Sequence, residues 1–303
     1  AAYVPVVETM VYGAVPIAGF GTEAQRKEWL PGVAAGETIL TGALAELAGG
    51  VIVPGGLQPA TTASAAGDGS WRLSGTKACV PAALVADAIL VPASCTTADG
   101  TTGAAVFVVD TASAGLALTK QTTTSGRPEA IVELDDVAVS ADRLLGGAET
   151  DGAAVITVMT DFATAALCVQ EAGVCASALD LTGEYTKTRV QFEKPIATFQ
   201  AVGQRAADAY VDTEAIRLTG WQAASRLAAG LPAEAEIAVA KYWAAEGGQR
   251  VVHAASHLHG GIGVDRDYPL HRYFLLTRQI ELTLGGATES LRRLGKVLAT
   301  EPA

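Results

Sequence analysis

Apolar and polar positions divide the chain into three stretches of different periodicity. Residues 1–38 read as helical, with Val6, Val7, Met10 and Val11 forming a short apolar stripe at helical spacing. Gly21-Thr22-Glu23 is a turn and cap, with Thr22 the expected N-cap. The helix that follows runs from Glu23 to Leu30, and Pro31 is expected to end it. The chain opens inside this helical pattern without a methionine, so a front part is expected to be missing.

Residues 39–150 lose the helical period and become rich in Thr, Gly and Val. Ile39-Leu40-Thr41-Gly42-Ala43-Leu44 opens the region, and Trp71 to Lys77 alternates around an expected turn. Ala88-Ile89-Leu90-Val91 and Ala104 to Val109 have the length of buried strands. Leu116 to Thr119 and Ala130 to Leu134 continue the pattern, and the spacing suits a small sandwich or barrel. Stretches 48–70 and 94–103, rich in Gly, Pro and Thr, read as surface loops.

From about Asp151 the helical period returns. Segments 153–189, 197–230, 233–259 and 271–299 are separated by Pro195, Pro232 and the Gly260–Gly263 turn. Such a series suggests a four-helix bundle. The fold class is therefore α+β: 1–38 the end of a helical domain, 39–150 a middle β domain, 151–303 a C-terminal bundle.

Composition narrows the function. Half of the residues are hydrophobic and 17% are charged, yet no charge-free run reaches membrane-spanning length; the longest apolar run, near Ala86 to Val91, is strand-sized. A net charge of -11 without a basic stripe argues against a nucleic-acid partner. Cys79, Cys95, Cys168 and Cys175 form no CxxC pair, and Cys168 and Cys175 read as buried thiols on one apolar helix. A reduced, cytoplasmic protein is expected. His253, His257, His259 and His271 lack the acidic companion of a zinc helix, so no metal is expected. His259 reads as a packing residue at the turn, and Arg278, Arg292 and Arg293 as interface or solvent residues.

Several pieces in order carry a family resemblance. They are Phe20-Gly21-Thr22-Glu23 through Leu30-Pro31 with Gly36-Glu37, and Leu73-Ser74-Gly75-Thr76-Lys77. Then come Tyr185 to Phe192, Pro195-Ile196, Phe199-Gln200, and His257 to Gly263 with Asp267-Tyr268-Pro269. The chain resembles an acyl-CoA dehydrogenase without most of its N-terminal helical domain. Within the family it looks closest to the degenerate-site subunit of actinobacterial α2β2 enzymes that act on steroid side-chain CoA thioesters.

The resemblance implies an FAD-dependent reaction in which a carboxylate removes the α proton of an acyl-CoA and the flavin takes the β hydride. The base must stand within hydrogen-bond reach of a weakly acidic C–H. The usual Glu-Gly-Thr segment falls on Leu284-Gly285-Gly286. The alternative base position falls on Ala163, with Thr164 where an Arg is usual. Asp161 and Glu281 are the nearest carboxylates, with Glu171 and Glu289 farther off, and no residue is assigned as catalytic. In the β domain, Leu44-Ala45-Glu46-Leu47 with Gly49-Gly50 loses the flavin-binding hydroxyl, and Cys79-Val80-Pro81 replaces the aromatic cover.

What the resemblance retains is a surface for a neighbouring subunit's FAD. The corresponding residues are Arg189, Phe192, Gln200, His257, Gly260 and Gly261. Arg189 suits pyrophosphate oxygens, Phe192 the ribityl or adenine region, and the glycines close backbone approach. The implied partners are a homologous catalytic subunit, an acyl-CoA and an electron-transferring flavoprotein. Small residues at Ala82, Ala83, Ala163 and Ala166 would admit a large acyl group. The competing readings are a self-sufficient dehydrogenase with its base at Asp161, Glu281 or in the front part, and a structural or acyl-CoA-binding protein.

Overall fold

The computed structural model describes residues 3–47, 50–51, 58–66, 69–97 and 100–300. The fold class is the expected one, with a mixed sheet and helical regions that include a C-terminal bundle. The expected boundaries at 38/39 and 150/151 fall between elements, whereas the compact units are residues 2–163 and 164–303.

In residues 2–163, a π-helix over Val7–Ala14 runs directly into α1 (Val15–Phe20). The apolar stripe does not face inward: Val6 and Met10 are exposed, while Glu8, Thr9 and Tyr12 are buried. The wider π turn takes positions three and four apart off a common face, so the α-helical period fails there. α2 (Glu23–Ala35) begins at Thr22 with a capping box, Thr22 and Gln25 each bonding the other's backbone N–H. Pro31 does not end it: the helix continues through the proline to Gly36, whose φ of 74° closes it.

The strands are β1 (Leu40–Gly42), β2 (Ala45–Glu46), β3 (Gly50–Val51), β4 (Thr62–Ala65), β5 (Trp71–Pro81), β6 (Ala88–Thr96), β7 (Thr102–Asp110), β8 (Leu116–Thr122) and β9 (Pro128–Val139). They form one nine-stranded sheet. β1 and β4 lie parallel to β6, at Leu40↔Ala88 and Thr62↔Ser94; the other pairs are antiparallel. The strands share one core containing Leu73, Phe107 and Val132, with Leu116 and Leu118 packed against it. Among the described residues no ladder joins β7 to β8, so the sheet is not a closed barrel. Two loop expectations fail: 48–70 contains β4, and 94–103 holds the ends of β6 and β7. The turn expected within 71–77 is a bulge in an unbroken strand. Gly75 there has φ 153°, and a Cβ on it would lie 2.7 Å from Thr61 Cα.

α3 (Gly152–Thr188) spans the division at Ala163/Thr164. It also corrects the reading of the longest apolar run. It contains an 18-residue window of mean hydropathy 1.7, long and apolar enough to cross a membrane, but 56% of that window is buried inside the protein. Such burial is the pattern of a core helix.

Residues 164–303 are helical. After α3 come a hairpin, β10 (Val190–Gln191) and β11 (Lys194–Pro195), and then α4 (Gln200–Ala228). α5 (Glu234–Tyr242), a π segment Trp243–Gly247 and α6 (Gly248–His259) follow one another without a break. The segment expected at 271–299 is two helices, α7 (Leu270–Leu282) and α8 (Ala287–Thr300). They part where Leu284 has φ 58° and Gly285 φ 93°, backbone that cannot continue a right-handed helix. The bundle core includes Cys168, Cys175, Ile216, Ile237 and Val251.

Candidate functional site

The end of α3 and the end of α6 meet through an aromatic contact. Tyr185 stacks on His259, with centroids 4.4 Å apart at 22°. His259 is buried, and its Nδ1 lies 2.8 Å from the Ala255 carbonyl. A carbonyl only accepts, so Nδ1 donates, and Nε2 accepts from the Tyr268 hydroxyl at 3.1 Å. Burial pushes the imidazole below its ordinary pKa, consistent with this neutral form. Tyr268 and His259 are therefore scaffold.

Arg189 follows Tyr185 by one turn. Its N–H bonds the Tyr185 carbonyl at 2.8 Å, and its own carbonyl accepts from Ile196 N–H at 2.9 Å. The guanidinium is exposed and has no partner among the described residues. The hairpin then turns in two residues, Phe192 and Glu193, with φ 52° and 66°. Positive φ at both positions is the signature of a type I′ turn, usually given to Asn and Gly. Phe192 is 87% exposed, touched edge-on by Phe199 with centroids 6.2 Å apart.

Gln200 is the first residue of α4, whose N-cap Phe199 offers no side-chain bond. Helix starts of this kind leave N–H groups free for an anion. The side chains of Gln200 and His257 are exposed and have no partner among the described residues. Gly260 adopts φ 64°, ψ −142°, backbone reserved for glycine. A Cβ on Gly260 or Gly261 would meet no atom within 4 Å, so close packing within the chain does not account for Gly261.

Arg189, Phe192, Gln200, His257, Gly260 and Gly261 thus all lie in the helical unit, and all are exposed. The Tyr185–His259 stack draws the Arg189 and Gly260 ends together. A free guanidinium, an amide, an imidazole and an uncapped helix start are donor types that a pyrophosphate accepts from. The donor chemistry therefore fits the FAD that the resemblance implies.

The positions where the resemblance expects a base carry no carboxylate. Leu284 is buried, and so are Ala163 and Thr164. Glu281 is paired with Arg278 through its side chain, and Glu289 is exposed 3.8 Å from Arg292. Asp161 is half-buried and already engaged. Ala82, Ala83 and Ala163 are fully buried, and Ala166 is half-buried.

In the β-rich unit, Cys79 sits in a bulge of β5 with φ 49°, and its N–H already bonds Gln121 Oε1 at 2.7 Å. Val80 points into the core, and the Pro81 carbonyl accepts from the Thr41 hydroxyl at 2.6 Å. This stretch presents neither an aromatic face nor a free donor at Cys79. Gly49, the other half of the altered pair with Gly50, lies outside the described residues. Arg293 lies 3.7 Å from Glu234, an intrachain ion pair where an interface or solvent role was expected.

Comparison with known proteins establishes the family. Residues 1–37 match the acyl-CoA dehydrogenase N-terminal domain model, and residues 150–296 match the C-terminal domain model. The chain is 42% identical to acyl-CoA dehydrogenase FadE27 of Mycobacterium tuberculosis, over all of this chain and 78% of that protein. It superposes on a chain of the ChsE4-ChsE5 complex of the same organism with a TM-score of 0.89 and 42% identity, covering all of this chain and 78% of that one. A chain of the Tcur3481-Tcur3483 steroid ACAD, a G363A variant, gives a TM-score of 0.87 at 43% identity, covering 99% and 77%. The chain belongs to the acyl-CoA dehydrogenase family, whose members are FAD-dependent oxidoreductases.

Proposed function

We propose that this chain is the half-site subunit of a heteromeric acyl-CoA dehydrogenase that forms the Cα–Cβ double bond of a steroid side-chain CoA thioester. It lacks a base of its own and completes the FAD site of a homologous catalytic subunit, in an α2β2 assembly. The observation that carries this reading is the contrast between its two sets of family positions. The cofactor-facing residues are exposed and unpaired, while the base positions hold buried Leu284 and Ala163. The relatives solved as two-chain complexes, one of them described as a steroid ACAD, support the partner and the substrate class.

When bound, FAD supplies the hydride acceptor. This chain's part is binding and orientation. Arg189 neutralises pyrophosphate oxygens with a fixed fork of donors. Gln200 and His257 donate hydrogen bonds, Phe192 covers an apolar part of the cofactor, and Gly260 and Gly261 let it approach the backbone. The electron acceptor in this reading is an electron-transferring flavoprotein. The free cysteines suit a reducing cytoplasm.

Co-expression with the homologous catalytic subunit tests the reading. The expected result is one FAD per heterodimer, with turnover only in the mixture. Arg189→Ala should then weaken FAD binding about 10- to 100-fold, the loss of a charge-assisted contact of about 1.5–3 kcal/mol. One FAD per chain with turnover by this protein alone would overturn it and favour a self-sufficient enzyme.

A further inference from the structure

The helical unit buries a second polar group that cofactor binding does not use. Glu171 on α3 is fully buried. Its Oε1 accepts from the Thr277 hydroxyl of α7 at 2.8 Å and from the Cys175 thiol at 3.1 Å, while Oε2 is buried with no hydrogen-bond partner. A Cβ on Gly248 would lie 2.5 Å from Oε1, so α6 passes directly against the carboxyl. Lys241 on α5 is also buried, and its Nζ donates to the carbonyls of Ile280 at 2.5 Å and Glu281 at 3.2 Å. These carbonyls belong to the last turn of α7, where a helix leaves acceptors unpaired. Two anchors one turn apart therefore tie α7 to α3 and to α5. The next residues are the break at 283–286, with Leu284 in left-handed backbone.

We propose that Glu171 and Lys241 form a buried latch that fixes the end of α7 and the backbone of the 283–286 break, and that the latch loosens when Glu171 loses its proton. The inference stands apart from the half-site reading, since it uses none of the cofactor-facing residues.

The surroundings support it. From α3, Cys168 and Cys175 face the pair; from α7, Glu281 does so while paired with Arg278. α4 contributes Asp212, which Arg250 holds at 2.5 and 2.8 Å, and α6 presents Gly248. Burial drives the Glu171 carboxyl up to about 7 and the Lys241 ammonium down to about 8. A carboxyl raised above its ordinary 4.5 favours the closed latch most at low pH, and this contribution is lost as pH rises through about 7. Lys241, depressed from 10.5, works in the opposite direction, since charging it in the interior becomes costlier as pH falls toward about 8. Between about pH 6 and 8 the carboxyl raises the opening equilibrium about tenfold, and Lys241 takes back about twofold, leaving about fivefold.

Hydrogen exchange of the whole protein, read on peptides covering residues 278–290 and corrected for intrinsic rates, tests this. Wild type should lose protection about fivefold from about pH 6 to pH 8. Glu171→Gln should abolish that loss and leave the smaller, opposite trend from Lys241. Lys241→Met should expose residues 281–286 at every pH, with α4 still protected. Protection in wild type that does not change with pH, or an equal loss in Glu171→Gln, would sink the latch. Should Lys241→Met fail to fold, those two proteins decide the matter alone.

Discussion

Lys77 and Glu46, in residues 2–163, are buried together with every oxygen and the ammonium engaged. Glu46 accepts from Lys77 Nζ at 2.5 Å, from the amides of Ala60 at 2.6 Å and Thr61 at 2.9 Å, and from the Thr61 hydroxyl at 2.7 Å. Lys77 also donates to the Pro92 carbonyl at 2.7 Å. Glu171 and Lys241, in residues 164–303, are equally buried, yet Glu171 leaves one oxygen bare and Lys241 meets carbonyls in place of a carboxylate. The difference separates two uses of buried charge. A fully paired ion fixes register, although burial lowers the Lys77 ammonium to about 8 and leaves it open to proton loss above that pH. A partly satisfied one is costly in one protonation state and so can respond.

The strongest way to break this comparison is Lys77→Met. It removes one partner and leaves Glu46 buried with its other donors. We expect a loss of about 3–5 kcal/mol in chemical denaturation, the usual cost of stranding a buried charge. A loss below about 1 kcal/mol would mean that the amides of Ala60 and Thr61 hold the carboxylate unaided, and the pair would not be a lock.

How far the sequence foretold these features depended on whether a local rule governed them. Thr22 was legible because an N-cap is a local property, whereas Gln25, which completes the capping box, was not singled out. Pro31 misled because a proline four residues from the end removes one hydrogen bond, while Gly36 decides where the helix stops. Val6 and Met10 misled because the π turn altered the period from which their stripe was read. Arg189, Phe192 and Gln200 could be proposed only through the resemblance, since an exposed Arg or Phe has no signature of its own. The break at 283–286 was hidden because Leu284 is a poor residue for left-handed backbone. Lys241 was hidden as well: in Ile237-Ala238-Val239-Ala240-Lys241 a lone lysine reads as the outer face of a helix, and only the position of α7 shows that it points inward.

A smaller effect sharpens the picture of how the β-rich unit is tied together. Gln25 closes the capping box and also reaches the chain near residue 144. Its Nε2 donates to the carbonyls of Asp142 at 2.6 Å and Leu144 at 2.8 Å, and its Oε1 accepts from Gly146 N–H at 3.0 Å. Gln25→Ala should cost about 2 kcal/mol in thermal or chemical unfolding, since it strands buried carbonyls as well as losing the cap. Thr22→Ala, which loses the cap alone, should cost about 1 kcal/mol. Equal costs for the two variants would show that the long-range bonds contribute nothing.

The smallest expected change in stability is the most informative about the exposed end of the bundle. Phe192 holds left-handed backbone that costs a bulky residue roughly 1–2 kcal/mol, and it buries almost nothing in return. Phe192→Asn should relieve most of that strain while giving up the edge contact with Phe199, for a net gain of about 0.5 kcal/mol in unfolding experiments. The fold therefore gains little from a phenylalanine at this turn. If it is kept for a cofactor shared with a partner, the same variant should lower FAD retention in the complex about tenfold while the free chain becomes no less stable. A variant that lost more than about 1 kcal/mol in the free chain would show that Phe192 packs within its own subunit, and the reading of this end as a donated surface would lose its hydrophobic member.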